Sequence, residues 1–178
     1  MTTIAAIHTS SIWYIASDGR ITGDHIVQED AVKLVKHEDY IIGMSWLSAL
    51  SQVVEMYHIR MNLNSESDVY SLYHDIIALL GRYWYNKKLK NFDMILLTRF
   101  WLYLFDWTNN TFVRKNIFAS IWSGANFAYG YLHAHEDTLG LGEWDMPREG
   151  LIRTLEECIG FVSRIDPYTN TQITTYTL

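Results

Sequence analysis

Strand-like and helix-like segments come in blocks along this chain, and this grouping limits the folds that it can adopt. The first 45 residues carry brief apolar runs separated by turn formers, a pattern that predicts short strands. The predicted strands are Thr2 to His8, Ile12 to Ser17, Ala31 to Val35 and Tyr40 to Met44, with a short extended piece at His25 to Gln28. A meander of strands therefore precedes the first helix.

The period of the apolar residues changes after this first block. Helical spacing follows Trp46 and returns more clearly from Val69 onward, where Ser65 and Asp68 resemble a capping box that starts the second of these helices. Strand-like runs then reappear, and they predict a second sheet. These runs are Asp93 to Leu97, Trp101 to Phe105 and Asn116 to Ile121.

The last part of the chain repeats the helical spacing twice. Apolar residues between Ala128 and His135 predict a third helix, and the stripe from Leu151 to Val162 predicts a fourth. The final TQITTYTL has the β-branched residues of a strand. Helices that come in pairs favour an α+β domain in which two sheets stack face to face with helices outside. We expect one such domain over residues 1–178.

Charge and cysteine content exclude several classes of protein. The 20 acidic side chains against 14 basic ones give a net charge of -6, which disfavours a nucleic-acid partner. Cys158 is the only cysteine, so no internal disulfide can form, and we expect a reducing compartment, the cytoplasm. The sequence predicts neither an export signal nor a membrane span.

The HAHED segment is the strongest candidate for metal binding in the sequence. On a helix, however, His133 and His135 would point about 200° apart, so they could not share one metal ion. We therefore expect a polar helix end there, and we predict no metal and no organic cofactor.

Four segments resemble proteasome β subunits and the bacterial proteasome-like peptidases, in the order in which that family has them. The opening TTIAAIHTSSIWYIASDGRITGD resembles the family's first hairpin, which begins with threonine. AVKLVKHEDYIIGMS resembles the lysine-bearing strand and its neighbour, SIWSGANFAYGYL the strand entering a Ser-Gly helix start, and SRIDPYTNTQITTYTL the closing Arg-x-Asp segment and final strand. The resemblance implies a four-layer αββα sandwich, the N-terminal nucleophile hydrolase fold.

The resemblance also implies a set of catalytic residues. Thr2 would be the nucleophile once Met1 is removed, because the freed α-amine, with an ordinary pKa of about 8, can accept the hydroxyl proton. The positive charge of Lys33 would lower the pKa of that amine, and Asp18 would orient Lys33. The positions that orient the amine and its water in the family are matched by Ser123, Asp166 and Thr169.

One departure from the family concerns the oxyanion site and substrate pocket. The family has a glycine after a strand of the second sheet, whereas this chain has Trp46, preceded by Ser45. The glycine's backbone N–H holds the oxyanion, and its missing side chain leaves room for substrate. Trp46 retains an N–H, but its indole would fill or reshape the pocket.

Together these features predict a threonine-type endopeptidase that cleaves unfolded proteins or peptides. The resemblance further implies a homo-oligomeric ring and an ATP-driven unfoldase as partner. The sequence leaves two alternatives open. One is a catalytically silent, ring-forming scaffold in which Trp46 closes the pocket, and the other is an amidohydrolase that acts on a small amide.

Overall fold

The computed structural model describes residues 2–9, 12–22, 27–45, 63–83, 93–106, 111–137 and 148–178. Its strands are β1 (Ile4–His8), β2 (Trp13–Asp18), β3 (Ile21–Thr22), β4 (Val27–Gln28), β5 (Leu34–Lys36), β6 (Tyr40–Met44), β7 (Asp93–Thr98), β8 (Leu102–Asp106), β9 (Thr111–Lys115), β10 (Phe118–Ile121) and β11 (Ile173–Thr177). Its helices are α1 (Glu66–Tyr83), α2 (Ala125–Ala134) and α3 (Arg148–Val162). None of these helices combines the length and apolar character that crossing a bilayer requires.

Two antiparallel sheets form the centre of the fold. The first sheet has the strand order β10-β1-β2-β11, and the second follows the chain as β5-β6-β7-β8-β9. β3 and β4 form a separate antiparallel pair, and in sequence they lie between β2 and β5. The chain thus starts the first sheet, builds the second, and returns to complete the first.

The central strands of each sheet pack on both faces. Successive side chains of a strand point to opposite faces. In β1, Ile4 and Ala6 pack in a core between the two sheets, whereas Ala5 and Ile7 pack with residues of α2 and α3. In the second sheet, Ile42 packs with residues of α1. The layers therefore run helix, sheet, sheet, helix, and the predicted αββα sandwich is confirmed.

Gly43 on β6 lies close to side chains of both sheets. A Cβ atom there would lie 2.9 Å from Cγ2 of Ile4, 3.0 Å from Cδ1 of Ile15 and 3.1 Å from Cδ2 of Leu34. Carbon atoms in contact prefer separations of about 3.5–4.0 Å, so a side chain at this position would require these methyl groups to shift. The close packing of the two sheets matters because polar residues at the end of β2 and just before β5 come together in one cluster.

The predicted grouping of strands was wrong in two respects. The run at Asn116 to Ile121 forms β10, and β10 pairs with β1 in the first sheet, not the second. The second sheet contains β5 and β6, in line with the second-sheet strand that the resemblance implied before Trp46, and it also contains β9, whose polar sequence TFVRK did not suggest a strand. β9 is an edge strand with mostly exposed residues, so burial imposes no apolar alternation on it.

The predicted start of α1 is confirmed in detail. The Ser65 N–H donates to Oδ2 of Asp68 at 2.8 Å, and the Asp68 N–H donates to Oγ of Ser65 at 3.3 Å, which is the reciprocal pattern of a capping box. The helix predicted after Trp46 lies outside the described residues, as does the first half of the extended piece predicted at His25 to Gln28.

Candidate active site

A buried ion pair joins the two sheets. Asp18 is the last residue of β2 in the first sheet, and Lys33 directly precedes β5 in the second. The Nζ atom of Lys33 lies 2.8 Å from Oδ1 of Asp18, and the two side chains are 3% and 0% exposed. An unpaired charge buried so deeply would be strongly destabilising, so each residue requires the other.

The ammonium group of Lys33 has three acceptors for its three N–H bonds. It donates to Oδ1 of Asp18, to the carbonyl oxygen of Arg20 at 2.5 Å and to Oγ1 of Thr2. Burial lowers the pKa of Lys33 to about 8, and the charge of Asp18 opposes this shift. The site therefore holds a cation that releases its proton more readily than an ordinary lysine.

Thr2 contacts both members of this ion pair. Its hydroxyl donates to Oδ1 of Asp18 at 2.5 Å while it accepts from Lys33, and the residue is 2% exposed. The next residue is held as well, since the Thr3 N–H donates to Oδ1 of Asp18 at 2.7 Å and the Asp18 N–H donates to the Thr3 carbonyl at 3.1 Å. The segment before β1 is thus fixed beside the end of β2.

A second polar group contacts the Thr2 and Thr3 residues. Oδ2 of Asp166 accepts from the hydroxyls of Ser123 at 2.7 Å and Thr169 at 2.6 Å. The Ser123 hydroxyl also lies 3.2 Å from the Thr2 carbonyl oxygen. The six residues that sequence resemblance singled out as catalytic therefore lie in one connected hydrogen-bond network.

Thr3 belongs to this network and Gly124 packs against it, and both were missed by the sequence reasoning. Oγ1 of Thr3 lies 2.6 Å from Oγ1 of Thr169, so a hydroxyl chain leads from Thr3 to the Asp166 carboxylate. A Cβ atom at Gly124 would lie 2.1 Å from Oγ1 of Thr3, which means that only glycine fits there. The Thr-Thr and Ser-Gly pairs in the sequence were the available signals.

Trp122 introduces this segment in an unusual conformation. Its φ of 75° lies in the left-handed region that bulky residues rarely occupy. Such strain persists where the surroundings fix the backbone, and it is concentrated at functional sites. Here the turn that starts at Trp122 places Ser123 and Gly124 against the network.

Ser45, which was predicted for the oxyanion region, has other partners. Its N–H donates to the Asp93 carbonyl at 3.1 Å, and its hydroxyl accepts from the Asp93 N–H at 2.8 Å. These bonds tie the end of β6 to the start of β7. Trp46, the other residue predicted for this region, lies outside the described residues.

The described residues contain no group of three or more histidine, cysteine or carboxylate side chains placed to hold a metal ion. The two histidines of HAHED have different partners: His133 lies 3.1 Å from Glu136, and His135 lies 2.8 Å from the Tyr131 carbonyl. Cys158 lies on α3 and is buried in the core, and burial raises the pKa of its thiol to about 12. This thiol is therefore a poor nucleophile.

The fold that carries this network is that of the proteasome-type N-terminal nucleophile hydrolases. No protein-family model matches the chain, and no curated protein matches its sequence. The likeness is therefore one of structure.

Three solved structures show the extent of this likeness. BPH of Thiobacillus denitrificans, solved in complex with epoxomicin, has a TM-score of 0.75 and 13% identity, over 99% of this chain and 97% of that one. HslV of Trypanosoma brucei has a TM-score of 0.68 and 16% identity, over 99% and 98% of the two chains. Anbu, an ancestral β-subunit from Yersinia bercovieri, has a TM-score of 0.72 and 13% identity, over 98% of this chain and 81% of that one.

Proposed function

We propose that this protein is a threonine peptidase of the proteasome type, with Thr2 as its nucleophile. The observation that carries the proposal is the placement of the Thr2 hydroxyl between Lys33 and Asp18 in a buried site. A hydroxyl held between a cation and a carboxylate is oriented, and the alkoxide that forms from it is stabilised by the cation.

The peptide bond between Met1 and Thr2 must be broken before the site can act. A peptide nitrogen is not basic, whereas the α-amine of a terminal threonine can accept the proton from its own hydroxyl. The nearby charge of Lys33 lowers the pKa of that amine and so keeps part of it neutral near pH 7. In its neutral form Lys33 is a second acceptor for the same proton.

The reaction then proceeds by acyl transfer. Oγ1 of Thr2 adds to the substrate carbonyl as its proton passes to the base, and the protonated base returns the proton to the leaving amine as the C–N bond breaks. Water hydrolyses the resulting ester and regenerates Thr2. Ser123 and Thr169 orient the terminal segment through their contacts with Thr2 and Thr3, and Asp166 holds both hydroxyls in place.

The proposed substrates are unfolded polypeptides or peptides, and the proposed assembly is a homo-oligomeric ring that takes substrate from an ATP-driven unfoldase. The resemblance to the proteasome family supports these finer statements. Backbone donors around Trp46 would hold the oxyanion in this scheme.

Covalent labelling tests the proposal directly. Epoxomicin is bound in the BPH structure with the same fold, and it serves as the probe here. After mass spectrometry has shown that Thr2 is the first residue, we expect one epoxomicin per chain, located on the peptide that begins with Thr2. Thr2→Ser should still be labelled, and Thr2→Ala should not.

Two results would contradict the proposal. One is a chain that begins with Thr2 and stays unlabelled while it also fails to cleave fluorogenic peptides. The other is equal labelling of Thr2→Ala, which would place the reactive group elsewhere. Retention of Met1 in protein purified from its native source would favour the scaffold alternative.

A further inference from the structure

A polar clasp formed by Arg20, Glu29 and Asn170 lies beside the proposed catalytic residues. It connects the turn that follows β2 with the loop that leads into β11. None of its side chains touches Thr2 in the structure, and the resemblance gave no role to Glu29 or Asn170. The clasp nevertheless determines the position of two of the three acceptors of Lys33, the Asp18 carboxylate and the Arg20 carbonyl.

Asn170 is the most fully bonded member of the clasp. Oδ1 of its amide accepts from the Gly19 N–H at 2.9 Å and from the Gln172 N–H at 3.3 Å. Its Nδ2 donates to the Glu29 carbonyl at 2.9 Å and to Oε2 of Glu29 at 2.6 Å. Two acceptor and two donor positions are all that a side-chain amide has, so the orientation of Asn170 is fully determined.

The turn that Asn170 holds is the one that presents acceptors to Lys33. Gly19 lies between Asp18, whose carboxylate pairs with Lys33, and Arg20, whose carbonyl accepts from Nζ of Lys33 at 2.5 Å. The Arg20 N–H donates to Oδ2 of Asp18 at 2.9 Å, and the Asn170 N–H approaches the same oxygen at 3.4 Å. A shift of this turn would therefore move both acceptors away from Lys33.

Close packing reinforces the same turn. A Cβ atom at Gly19 would lie 2.5 Å from the Glu29 carbonyl oxygen, so the turn is pressed against the segment that leads to Lys33. The Gly19 carbonyl also accepts from the Ala31 N–H at 2.8 Å. Asn170 thus links three segments that pack around Gly19: the turn after β2, the segment that leads to Lys33 and the loop that leads into β11.

The ion pair of the clasp contributes less to this positioning. Arg20 donates from Nε to both carboxylate oxygens of Glu29 at 3.1 Å and from Nη1 to the Pro167 carbonyl at 2.7 Å. The two charged side chains are 29% and 46% exposed, and ion pairs with this exposure stabilise little. The amide of Asn170, bonded to two backbone groups of other segments, is the stronger constraint.

We infer that Asn170 is a positioning residue, which acts through the Gly19–Arg20 turn to hold the acceptors of Lys33 in place. The inference deepens the proposed peptidase function and rests on it for its catalytic meaning. The energetic coupling between Asn170 and Lys33 through the turn, however, can be measured without any catalytic activity.

The first arm of the experiment is a double-mutant cycle on stability, followed by urea unfolding. Asn170→Ala, Lys33→Met and the double variant are compared with the unmodified protein. We expect Asn170→Ala to raise the unfolding equilibrium constant about ten-fold when Lys33 is present and only about two-fold when it is absent. Equal effects in both backgrounds would refute the inference, whether or not the protein is a peptidase.

The second arm measures the rate of epoxomicin labelling against pH. The charged groups that act on Lys33 are Asp18 and Glu29. In the proposed mechanism, the proton lost on activation is shared between Lys33 and the Thr2 amine. Weaker acceptors favour the neutral lysine, so Asn170→Ala should move the midpoint of the profile to lower pH and slow labelling about ten-fold, with unchanged final stoichiometry. An unchanged or raised midpoint would overturn the inference.

Two further variants complete the design. Asn170→Ser keeps a small polar side chain without adding charge, and it replaces Asn170→Ala if that variant fails to fold. Asn116→Ala changes an exposed asparagine between β9 and β10 and should match the unmodified protein in both arms. If the unmodified protein starts at Thr2 and is not labelled at all, the peptidase proposal fails while the stability cycle still decides the role of Asn170.

Discussion

The Nζ atom of Lys33 and the Oδ1 atom of Asp18 lie 2.8 Å apart, with both side chains buried between the two sheets. The pair is the structural centre of the site, because Oδ1 also accepts from the Thr2 hydroxyl and the Thr3 N–H. One carboxylate oxygen thus fixes the cation, the proposed nucleophile and the backbone that carries it. Changes to either charge should affect both stability and reactivity.

Removing one charge of the pair should be more damaging than removing both. Asp18→Ala leaves the Lys33 ammonium buried without its carboxylate, and we expect the free energy of unfolding to fall by about 3–5 kcal/mol. The double variant Asp18→Ala with Lys33→Met should recover part of this loss, as measured by urea unfolding. Neither variant should react with epoxomicin. Full additivity of the two single effects would show that the residues do not interact in solution.

The lowered pKa of Lys33 predicts a stability change with pH. Its pKa falls from the ordinary 10.5 to about 8 on folding, so between these values the unfolded chain binds the proton and the folded chain does not. Raising the pH through this window should therefore increase the free energy of unfolding, by up to about 3 kcal/mol from this residue. Below pH 8 both states are protonated, and the dependence from Lys33 should vanish.

The same experiment on Lys33→Met isolates this contribution. Burial raises the pKa values of Tyr40 and Tyr103, and these groups act in the opposite direction above about pH 10, where the unfolded chain loses their protons. They are present in both variants, so the difference between the two unfolding curves from pH 8 to 9.5 reports Lys33. A difference that stays constant over this range would contradict the lowered pKa.

The αββα architecture could be predicted because the helices and strands of each layer have recognisable local sequence patterns. Helical spacing and the Ser65 capping box marked α1, and the uninterrupted apolar run of β1 reflects cores on both of its faces. The family-like segments then predicted which polar residues would meet. The six proposed catalytic residues do lie in one network, although their chemical roles remain a prediction.

No local sequence pattern predicted the order of the strands within the sheets. β10 pairs with β1 across more than a hundred residues of chain, and nothing in FASI distinguishes a partner in the first sheet from one in the second. The roles of Thr3 and Asn170 were hidden for a related reason. Their partners, Thr169 and Gly19, are distant in sequence, so only the folded chain shows the contacts.

The hydroxyl chain from Thr3 to Asp166 should affect both reactivity and folding. Thr3→Val keeps the shape of the side chain but removes the 2.6 Å contact with Thr169. We expect epoxomicin labelling to slow about ten-fold while the free energy of unfolding falls by about 1–2 kcal/mol. Because both residues act through one chain, Thr3→Val and Thr169→Val should combine less than additively in labelling rate. Additive losses would place the two hydroxyls in separate roles.

Gly124 offers the sharpest steric test of the site. A methyl group there would lie 2.1 Å from Oγ1 of Thr3 and 2.4 Å from Cγ1 of Val162, so Gly124→Ala must displace both side chains. We expect a loss of about 1–3 kcal/mol in the free energy of unfolding and at least a ten-fold slower reaction with epoxomicin.

Gly130 provides the matched control because it lies inside α2 with open space around the position of a Cβ atom. Gly130→Ala should stabilise the protein by about 0.5–1 kcal/mol through helix propensity, and it should leave labelling unchanged. In thermal unfolding, Gly124→Ala should lower the stability and Gly130→Ala should raise it. These opposite changes distinguish the steric effect at Gly124 from the effect of helix propensity at Gly130. If Gly124→Ala behaved like Gly130→Ala, Thr3 could not lie where the structure places it, and the hydroxyl chain to Asp166 would be absent.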